Sequence, residues 1–138
     1  MDVTLEEAYH KTTYKIYDRK VSYDLRIDKL NADFQTFCKE KKITSWAVIT
    51  AYNPYSKPCS SIDNQRNNAA LRRVLQSIFL TVLEADGIPD DSNWETEKSY
   101  FTYNLPLEQA QKIGRQFQQN AIVYGKEDGI ARLFWIPN

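Results

Sequence analysis

The chain has 138 residues, of which 42% are hydrophobic, and its 18 basic side chains balance 18 acidic ones. This length fits one domain, and the apolar fraction can supply a buried core, which excludes a disordered chain. A formal charge of zero offers no general attraction to a phosphate backbone, so nucleic acid is not an expected partner. We expect residues 1–138 to form a single domain, with residues 1–11 as a loosely ordered N-terminal segment.

The composition also narrows the cellular setting. No run of about 18 apolar residues occurs, and the polar N-terminus lacks the pattern of a secretory signal. Two isolated cysteines, Cys38 and Cys59, suit a reducing compartment. The single histidine, His10, leaves no clustered set of zinc ligands. We therefore predict a cytoplasmic protein without metal, cofactor or membrane association, and leave its oligomeric state open.

The first part of the chain predicts three strands and one helix. Residues 12–17 and 23–27 are rich in β-branched and aromatic side chains, which favours strands. Apolar residues recur at helical spacing over residues 28–41, which predicts an amphipathic helix. Residues 46–52 are apolar on both alternating faces, as is typical of a central strand covered on both sides. A turn at Asn53 and Pro54 ends that strand.

A second helix, capped by Ser60 or Ser61, is predicted to run to about residue 77 with an apolar stripe on one face. The remaining predicted elements are a strand at 79–84, a loop at 87–93, a strand at 99–105, a helix at 107–117 after Pro106, a strand at 120–124, a hairpin loop at 125–129 and a strand at 130–136. From residue 46 onward this order contains the β-α-β-β-α-β string of ferredoxin-like folds. We therefore predict an α+β fold, a single sheet with helices packed on it, with a ferredoxin-like core and an N-terminal β-α extension.

Two asparagines continue the apolar stripe of the second helix toward its start. Asn64 and Asn67 precede Leu71 at helical spacing, so both side chains should point toward the end of the strand that holds Thr50 and Asn53. A helix N-terminus presents free N–H groups and a partial positive charge. The sequence thus indicates a polar cluster where the strand ends and the helix begins.

Arg66 stands beside these asparagines, and an arginine at a helix N-terminus suits a carboxylate or a phosphate. The cluster therefore predicts a binding site for a small anionic or nucleotide-like metabolite. The alternative is structural, because buried amides need partners, and Asn64 and Asn67 would then only tie down the turn at Asn53. The pattern leaves both interpretations open.

Two further hypotheses come from other residues. Glu95 would serve as a general base if it is partly buried, which gives an enzyme that uses Glu95 or Asp63 together with Arg66. Arg115, beside the apolar stripe of the last helix, is a further candidate ligand-binding residue. The small size, the zero net charge and the nine tyrosines suit a third class, a protein-protein interaction or inhibitor module.

Four short segments occur in the order Ile49-Thr50-Ala51-Tyr52-Asn53-Pro54, Asn64-Gln65-Arg66-Asn67, Trp94-Glu95 with Ser99, and Gly114-Arg115-Gln116-Phe117 leading to Gln119-Asn120-Ala121-Ile122. Together they resemble the bacterial family known as domain of unknown function 3293, and the resemblance covers about residues 12–135. Tyr52 stands where that family commonly has tryptophan, and Gln118 stands where a glycine is usual. The resemblance implies a compact bacterial cytoplasmic domain and no named activity. Its polar signature falls on the same cluster of Thr50, Asn53, Asn64, Arg66 and Asn67.

Overall fold

The fold is built around one antiparallel sheet, which a computed structural model describes together with its helices over residues 4–137. The seven strands are β1 (Thr12–Asp18), β2 (Val21–Leu25), β3 (Ser45–Thr50), β4 (Val82–Pro89), β5 (Glu97–Tyr103), β6 (Ala121–Lys126) and β7 (Ala131–Trp135). Their order across the sheet is β2-β1-β4-β5-β3-β6-β7, and each neighbouring pair is antiparallel. The predicted α+β fold with a single sheet is confirmed.

Four helices are present within residues 4–137: α1 (Leu5–His10), α2 (Ala32–Glu40), α3 (Ser61–Ile78) and α4 (Leu107–Gln116). Helix α2 packs on one side of the sheet, the α2 face, and α3 and α4 pack on the other, the α3 face. The side chain of Ser60 caps α3 by accepting the Asp63 N–H at 3.1 Å, so one of the two predicted caps is confirmed. None of the helices in this described part has the length and apolar character needed to cross a bilayer.

An aromatic core fills the α2 face. Phe34 of α2 meets Trp46 of β3 edge to face, with ring centroids 5.1 Å apart, and lies 6.0 Å from Phe101 of β5. Gly125 of β6 makes room for the Trp46 ring, since a Cβ at that position would collide with it. β3 is buried on both faces, as its sequence predicted.

The two outer strands of the sheet approach each other across the α2 face. Ile27, just after β2, bridges to Ala131 at the start of β7, and the Asp28 N–H donates to the Ala131 carbonyl at 2.7 Å. Helix α1 reaches the end of β7, where Tyr9 meets Trp135 edge to face at 5.8 Å. The sheet therefore curls around the α2-face core, and α1, a helix that the polar N-terminal composition did not predict, lies at one end of it.

The α3 face is only partly covered by helices. Helix α3 lies over β4 and β5, and α4 lies over β3 and β6, with Leu71, Leu75 and Ile113 buried in their shared core. Gly114 allows a close approach of α4 to the sheet, because a Cβ there would lie 2.9 Å from Ile122. The α3-face side chains of β1, including Tyr17, are only half-buried. A step therefore separates α3 from the uncovered strands beside it.

Strand β4 departs most from the predicted elements. We predicted a strand at 79–84 and a loop at 87–93, whereas β4 is Val82–Pro89 and the loop follows it. Gly87 pairs with Tyr14 of β1 on one side and with Glu97 of β5 on the other. Bonding to a strand on each side outweighs the turn preference of Gly87, and pairing with Thr12 of β1 keeps Pro89 in the strand. Local sequence carries no sign of those neighbours.

Candidate functional site

The chain turns sharply after β3, and we call residues 51–60 the Asn53 turn. Asn53, Tyr55 and Ser56 all adopt left-handed backbone conformations, with φ of 47°, 54° and 61°. This region costs a non-glycine residue about 1–2 kcal/mol, although asparagine tolerates it better than most. A turn with three such residues needs side-chain contacts to hold it in place.

Asn64 of α3 holds Asn53 through two reciprocal hydrogen bonds. The Asn53 backbone N–H donates to Asn64 Oδ1 at 2.8 Å, and Asn64 Nδ2 donates to Asn53 Oδ1 at 3.0 Å. The same Asn53 oxygen accepts the Cys59 N–H at 3.1 Å. Asn64 is 2% exposed, so these bonds are shielded from water. Asn64 therefore points at Asn53, as its spacing indicated.

The second buried amide of α3 is Asn68, not Asn67, and this corrects the sequence-based assignment. Asn68 is 5% exposed, and its Oδ1 accepts the Ala51 N–H at 3.3 Å, whereas Asn67 is half-buried. At about 100° per residue, Leu71 and Leu75 lie within about 20° of Asn64 around the helix. Asn68 lies about 40° from Asn64, and Asn67 lies about 60° from it on the other side. The inward stripe therefore continues from Leu71 through Asn68 to Asn64.

Side chains from other elements hold the rest of the Asn53 turn. Thr50 Oγ1 accepts the Tyr52 N–H at 3.1 Å and donates to the carbonyl of Lys98 at 2.7 Å. Gln119 Nε2 donates to the Tyr52 carbonyl at 3.0 Å, and Asn120 Nδ2 donates to Ser56 Oγ at 2.9 Å. Thr50 thus belongs to the cluster as predicted, and its hydroxyl is fully engaged within the protein.

Glu97, at the start of β5, is the residue of this cluster that sequence reasoning missed. Its Oε2 accepts Asn53 Nδ2 at 2.9 Å. Burial raises the pKa of the Glu97 carboxyl, and the hydrogen bond from Asn53 opposes that shift. The sequence feature that indicated Glu97 was its alternation with Ser99 and Phe101. Alternate residues of a strand lie on the same face of the sheet, here the α2 face. The predicted strand began at Ser99 and so left Glu97 in a loop.

Two tyrosines surround the Glu97 carboxyl on the α2 face. Burial, followed by the nearby charge of Glu97, raises the pKa of Tyr9 to about 12. Burial also raises the pKa of Tyr14, with further contributions from Tyr9 and Glu97. Both hydroxyls therefore remain protonated at neutral pH, and they approach the carboxyl from α1 and β1.

A groove opens on the α3 face at the step between α3 and the uncovered strands, and we call it the α3 groove. It encloses about 520 Å³, within the range of small-molecule sites. Its lining includes three tyrosines, three cations, two carboxylates and two amides: Tyr17, Tyr52, Tyr100, Arg72, Arg73, Lys98, Glu84, Asp86, Gln65 and Asn68. Tyr52 belongs to the Asn53 turn and Asn68 accepts the Ala51 N–H of that turn, so the two sites are adjacent.

Within the groove, one carboxylate is paired and the arginines are not. Asp86 Oδ2 accepts the Tyr17 hydroxyl at 2.7 Å, and Asp86 Oδ1 lies 3.5 Å from Lys98 Nζ. That hydrogen bond, together with burial, raises the pKa of Tyr17 to about 12. Among the described residues, Arg72 and Arg73 take part in no salt bridge. Their guanidinium groups are therefore open to an anion from solution.

Comparison with protein-family models finds a match to the family described as "Protein of unknown function (DUF3293)" over residues 49–122, more than half of the chain. The chain belongs to this family. No curated protein and no solved structure matches it. The family match spans the Asn53 turn, α3 and the α3-groove walls formed by β4 and β5, whereas Tyr9, Tyr14 and Tyr17 lie outside it.

Gln118, where a glycine is usual in DUF3293, has a left-handed backbone with φ of 58°. Its carbonyl accepts the Tyr55 N–H at 2.6 Å and so helps to fix the Asn53 turn. Glycine adopts this conformation without a steric penalty, which gives a physical reason for glycine at this position. Gln118 therefore adopts the backbone conformation that a glycine would provide.

The structure does not bring the other predicted site residues together. Arg66 lies about 200° around α3 from Asn64 and is exposed. Asp63 and Glu95 are also exposed, and no hydrogen bond or salt bridge within residues 4–137 joins either of them to Arg66. Arg115 donates through Nε and Nη2 to the Pro137 carbonyl at 3.2 and 3.0 Å, so it anchors the C-terminal segment.

Proposed function

We propose that the chain is a binding domain for a small metabolite that carries an anionic group and a flat ring, held in the α3 groove. The observation that carries this proposal is the combination of two unpaired arginines and three tyrosines around one groove. The predicted ligand class, anionic or nucleotide-like, is retained. The arginines proposed to bind the anion are Arg72 and Arg73 instead of Arg66, because Arg66 faces away from the sheet.

The chemistry of the groove supports an anion together with a ring. Arg72 and Arg73 follow one another on α3, and arginine pairs with carboxylate or phosphate through two parallel hydrogen bonds. Tyr52 and Tyr100 offer half-buried aromatic surface beside them. A ligand with both features would bury its ring against the tyrosines while its charge stays at the arginines near solvent.

The architecture fits a domain of this kind. We propose that residues 1–138 fold as one cytoplasmic domain whose centre follows the ferredoxin-like arrangement. The strand order β4-β5-β3-β6, with α3 and α4 on the same face, supports that arrangement. Strands β1 and β2 would then be additions that extend the sheet past α3. Tyr17 of β1 would form one edge of the groove, whose floor lies on β4 and β5.

The test is titration calorimetry of the full chain with adenosine monophosphate, inorganic phosphate and 3-phenylpropionate. We expect at least one ring-bearing anion to bind, and the double change Arg72→Ala with Arg73→Ala to weaken it by about 10-fold or more. Arg66→Ala is the matched control on the outer side of the same helix and should leave the affinity unchanged. Loss of binding in Arg66→Ala but not in the double variant would contradict the proposal.

A further inference from the structure

The α3 groove holds an unpaired carboxylate opposite its arginines. Glu84 of β4 lines the groove with Arg72 and Arg73 of α3. Within the described residues, no lysine, arginine or histidine nitrogen lies within 4.0 Å of the Glu84 carboxylate, whereas Asp86 on the same strand is neutralised by Lys98. Opposite charges thus face each other across the groove without closing it as a salt bridge.

Asn68 adds an unused donor at the base of the groove. Asn68 is 5% exposed, and its Oδ1 accepts the Ala51 N–H. Its Nδ2 donates to no atom of the described chain. No fully buried side-chain nitrogen in that part lacks a partner, so this amide must reach the open space of the groove. The donor is held in place by the bond on the other side of the same amide.

We propose that the α3 groove selects a zwitterionic ligand of the aromatic amino acid class, an inference that rests on the function proposed above. The ligand carboxylate would lie between Arg72 and Asn68 Nδ2, its ammonium group would lie against Glu84, and its ring would pack on Tyr52 and Tyr100. An ammonium–carboxylate pair in this half-enclosed space strengthens binding. A ligand with only negative charge would instead be repelled by Glu84.

The pairing of charges distinguishes this class from nucleotides. A nucleoside monophosphate carries about two negative charges and no ammonium group, so it is attracted by the arginines and repelled by Glu84. An amino acid matches each charge with its opposite. The amide of Asn68 then needs an acceptor beside the cationic wall, which the second carboxylate oxygen supplies.

The test compares L-phenylalanine with 3-phenylpropionate, which lacks the ammonium group, by titration calorimetry of the full chain. We expect phenylalanine to bind about 10-fold more tightly or better. Glu84→Gln should remove that preference while 3-phenylpropionate binds as well as before or more tightly, since the carboxylate that repels it is gone. Glu95→Gln, an exposed glutamate outside the groove, is the matched control and should keep the preference.

The possible failures separate the two proposals. If 3-phenylpropionate binds as tightly as phenylalanine, and Arg72→Ala weakens both, the zwitterion inference is overturned and the anion site stands. If adenosine monophosphate instead binds in a manner that depends on Arg72 while phenylalanine does not bind, that result also overturns the zwitterion inference and leaves the anion site standing. If neither phenylalanine nor any anionic probe binds in a manner that depends on Arg72, the proposed function itself is wrong.

Discussion

The Asn53 turn and the α3 groove are neighbours, but they use polar side chains in opposite ways. In the Asn53 turn, Asn53 and Asn64 satisfy each other, and Thr50 bonds to backbone on two sides. In the α3 groove, Glu84, Arg72 and Arg73 take part in no salt bridge within the described residues. The difference separates groups that hold the fold together from groups that remain available to a ligand.

This comparison bears on how a polar cluster is interpreted. The amides of Asn53 and Asn64 are expensive to bury and are therefore bonded, which is what a strained turn requires. The geometry thus favours the structural alternative for these two residues. Asn68 belongs to both regions, with its oxygen on the turn and its nitrogen toward the groove.

The largest expected effect is the loss of Asn64. Asn64→Ala leaves the half-buried Asn53 N–H without its acceptor, and an unsatisfied donor shielded from water costs about 1–3 kcal/mol. We expect the free energy of unfolding to fall by that amount. Urea denaturation followed by tryptophan fluorescence measures it.

Two variants complete that experiment. Asn67→Ala, on the same helix but half-buried, should change the free energy of unfolding by less than about 0.5 kcal/mol. Arg72→Ala in the groove should change it equally little. Equal losses for Asn64→Ala and Asn67→Ala would show that the reciprocal bonds to Asn53 contribute nothing measurable, and the contrast between turn and groove would fail.

The next effect is a dependence on pH at Glu97. Burial raises the pKa of this carboxyl, so the folded chain binds its proton more tightly than the unfolded chain does. The resulting stability is fully present below the pKa of an unfolded glutamate and is lost as the pH rises through the folded value. Glu97→Gln stays neutral and can still accept from Asn53 Nδ2. We therefore expect the Tm of Glu97→Gln, relative to the unaltered protein, to rise as the pH increases above the pKa of an unfolded glutamate.

Differential scanning calorimetry at several pH values follows that difference. Glu95→Gln, two residues earlier and exposed, is the control and should show no such trend. A Tm difference for Glu97→Gln that stays constant with pH would mean that the carboxyl is ionised equally easily in the folded and unfolded chains. Glu97 would then be a simple hydrogen-bond acceptor.

The smallest expected effect is at Gln118, which supports the Asn53 turn through its carbonyl. Gln118→Gly removes a Cβ from a left-handed residue, which favours the folded state. It also raises the conformational entropy of the unfolded chain, which opposes that gain. We expect a net gain of at most about 1 kcal/mol in the free energy of unfolding. Gln118→Ala keeps the Cβ and should give no gain. A loss of stability in Gln118→Gly would show that the glutamine side chain itself contributes.

Much of the fold could be predicted from the sequence, because its elements carry local signals. The alternation around Trp46 identified a strand buried on both faces, and the helical spacing of Leu71 and Leu75 identified α3. The Ser60 cap and the closely packed Gly114 also follow from local rules. Strand β4 was misplaced because Gly87 and Pro89 are turn formers by themselves. They become strand residues only through pairing, Gly87 with both β1 and β5 and Pro89 with β1 alone.

The candidate site was predicted less completely, and the reason is geometric. Spacing along one helix placed Asn64 correctly but could not choose between Asn67 and Asn68. Asn67 lies four residues before Leu71 and Asn68 lies three before it, and both spacings are typical of one helix face. Glu97 escaped because its role depends on a contact with Asn53, which lies 44 residues earlier in the chain.

By itself, the sequence determined which segments become helices or strands, because backbone propensity and apolar period act between near neighbours. It also determined the family, through short ordered segments. Only the tertiary structure decided which charges remain unpaired. Asp86 and Glu84 stand two residues apart on the same face of β4. Asp86 accepts a hydrogen bond from Tyr17 and pairs with Lys98, whereas Glu84 faces an open groove. That difference arises from the strands and the helix that pack around them, and no local pattern contains it.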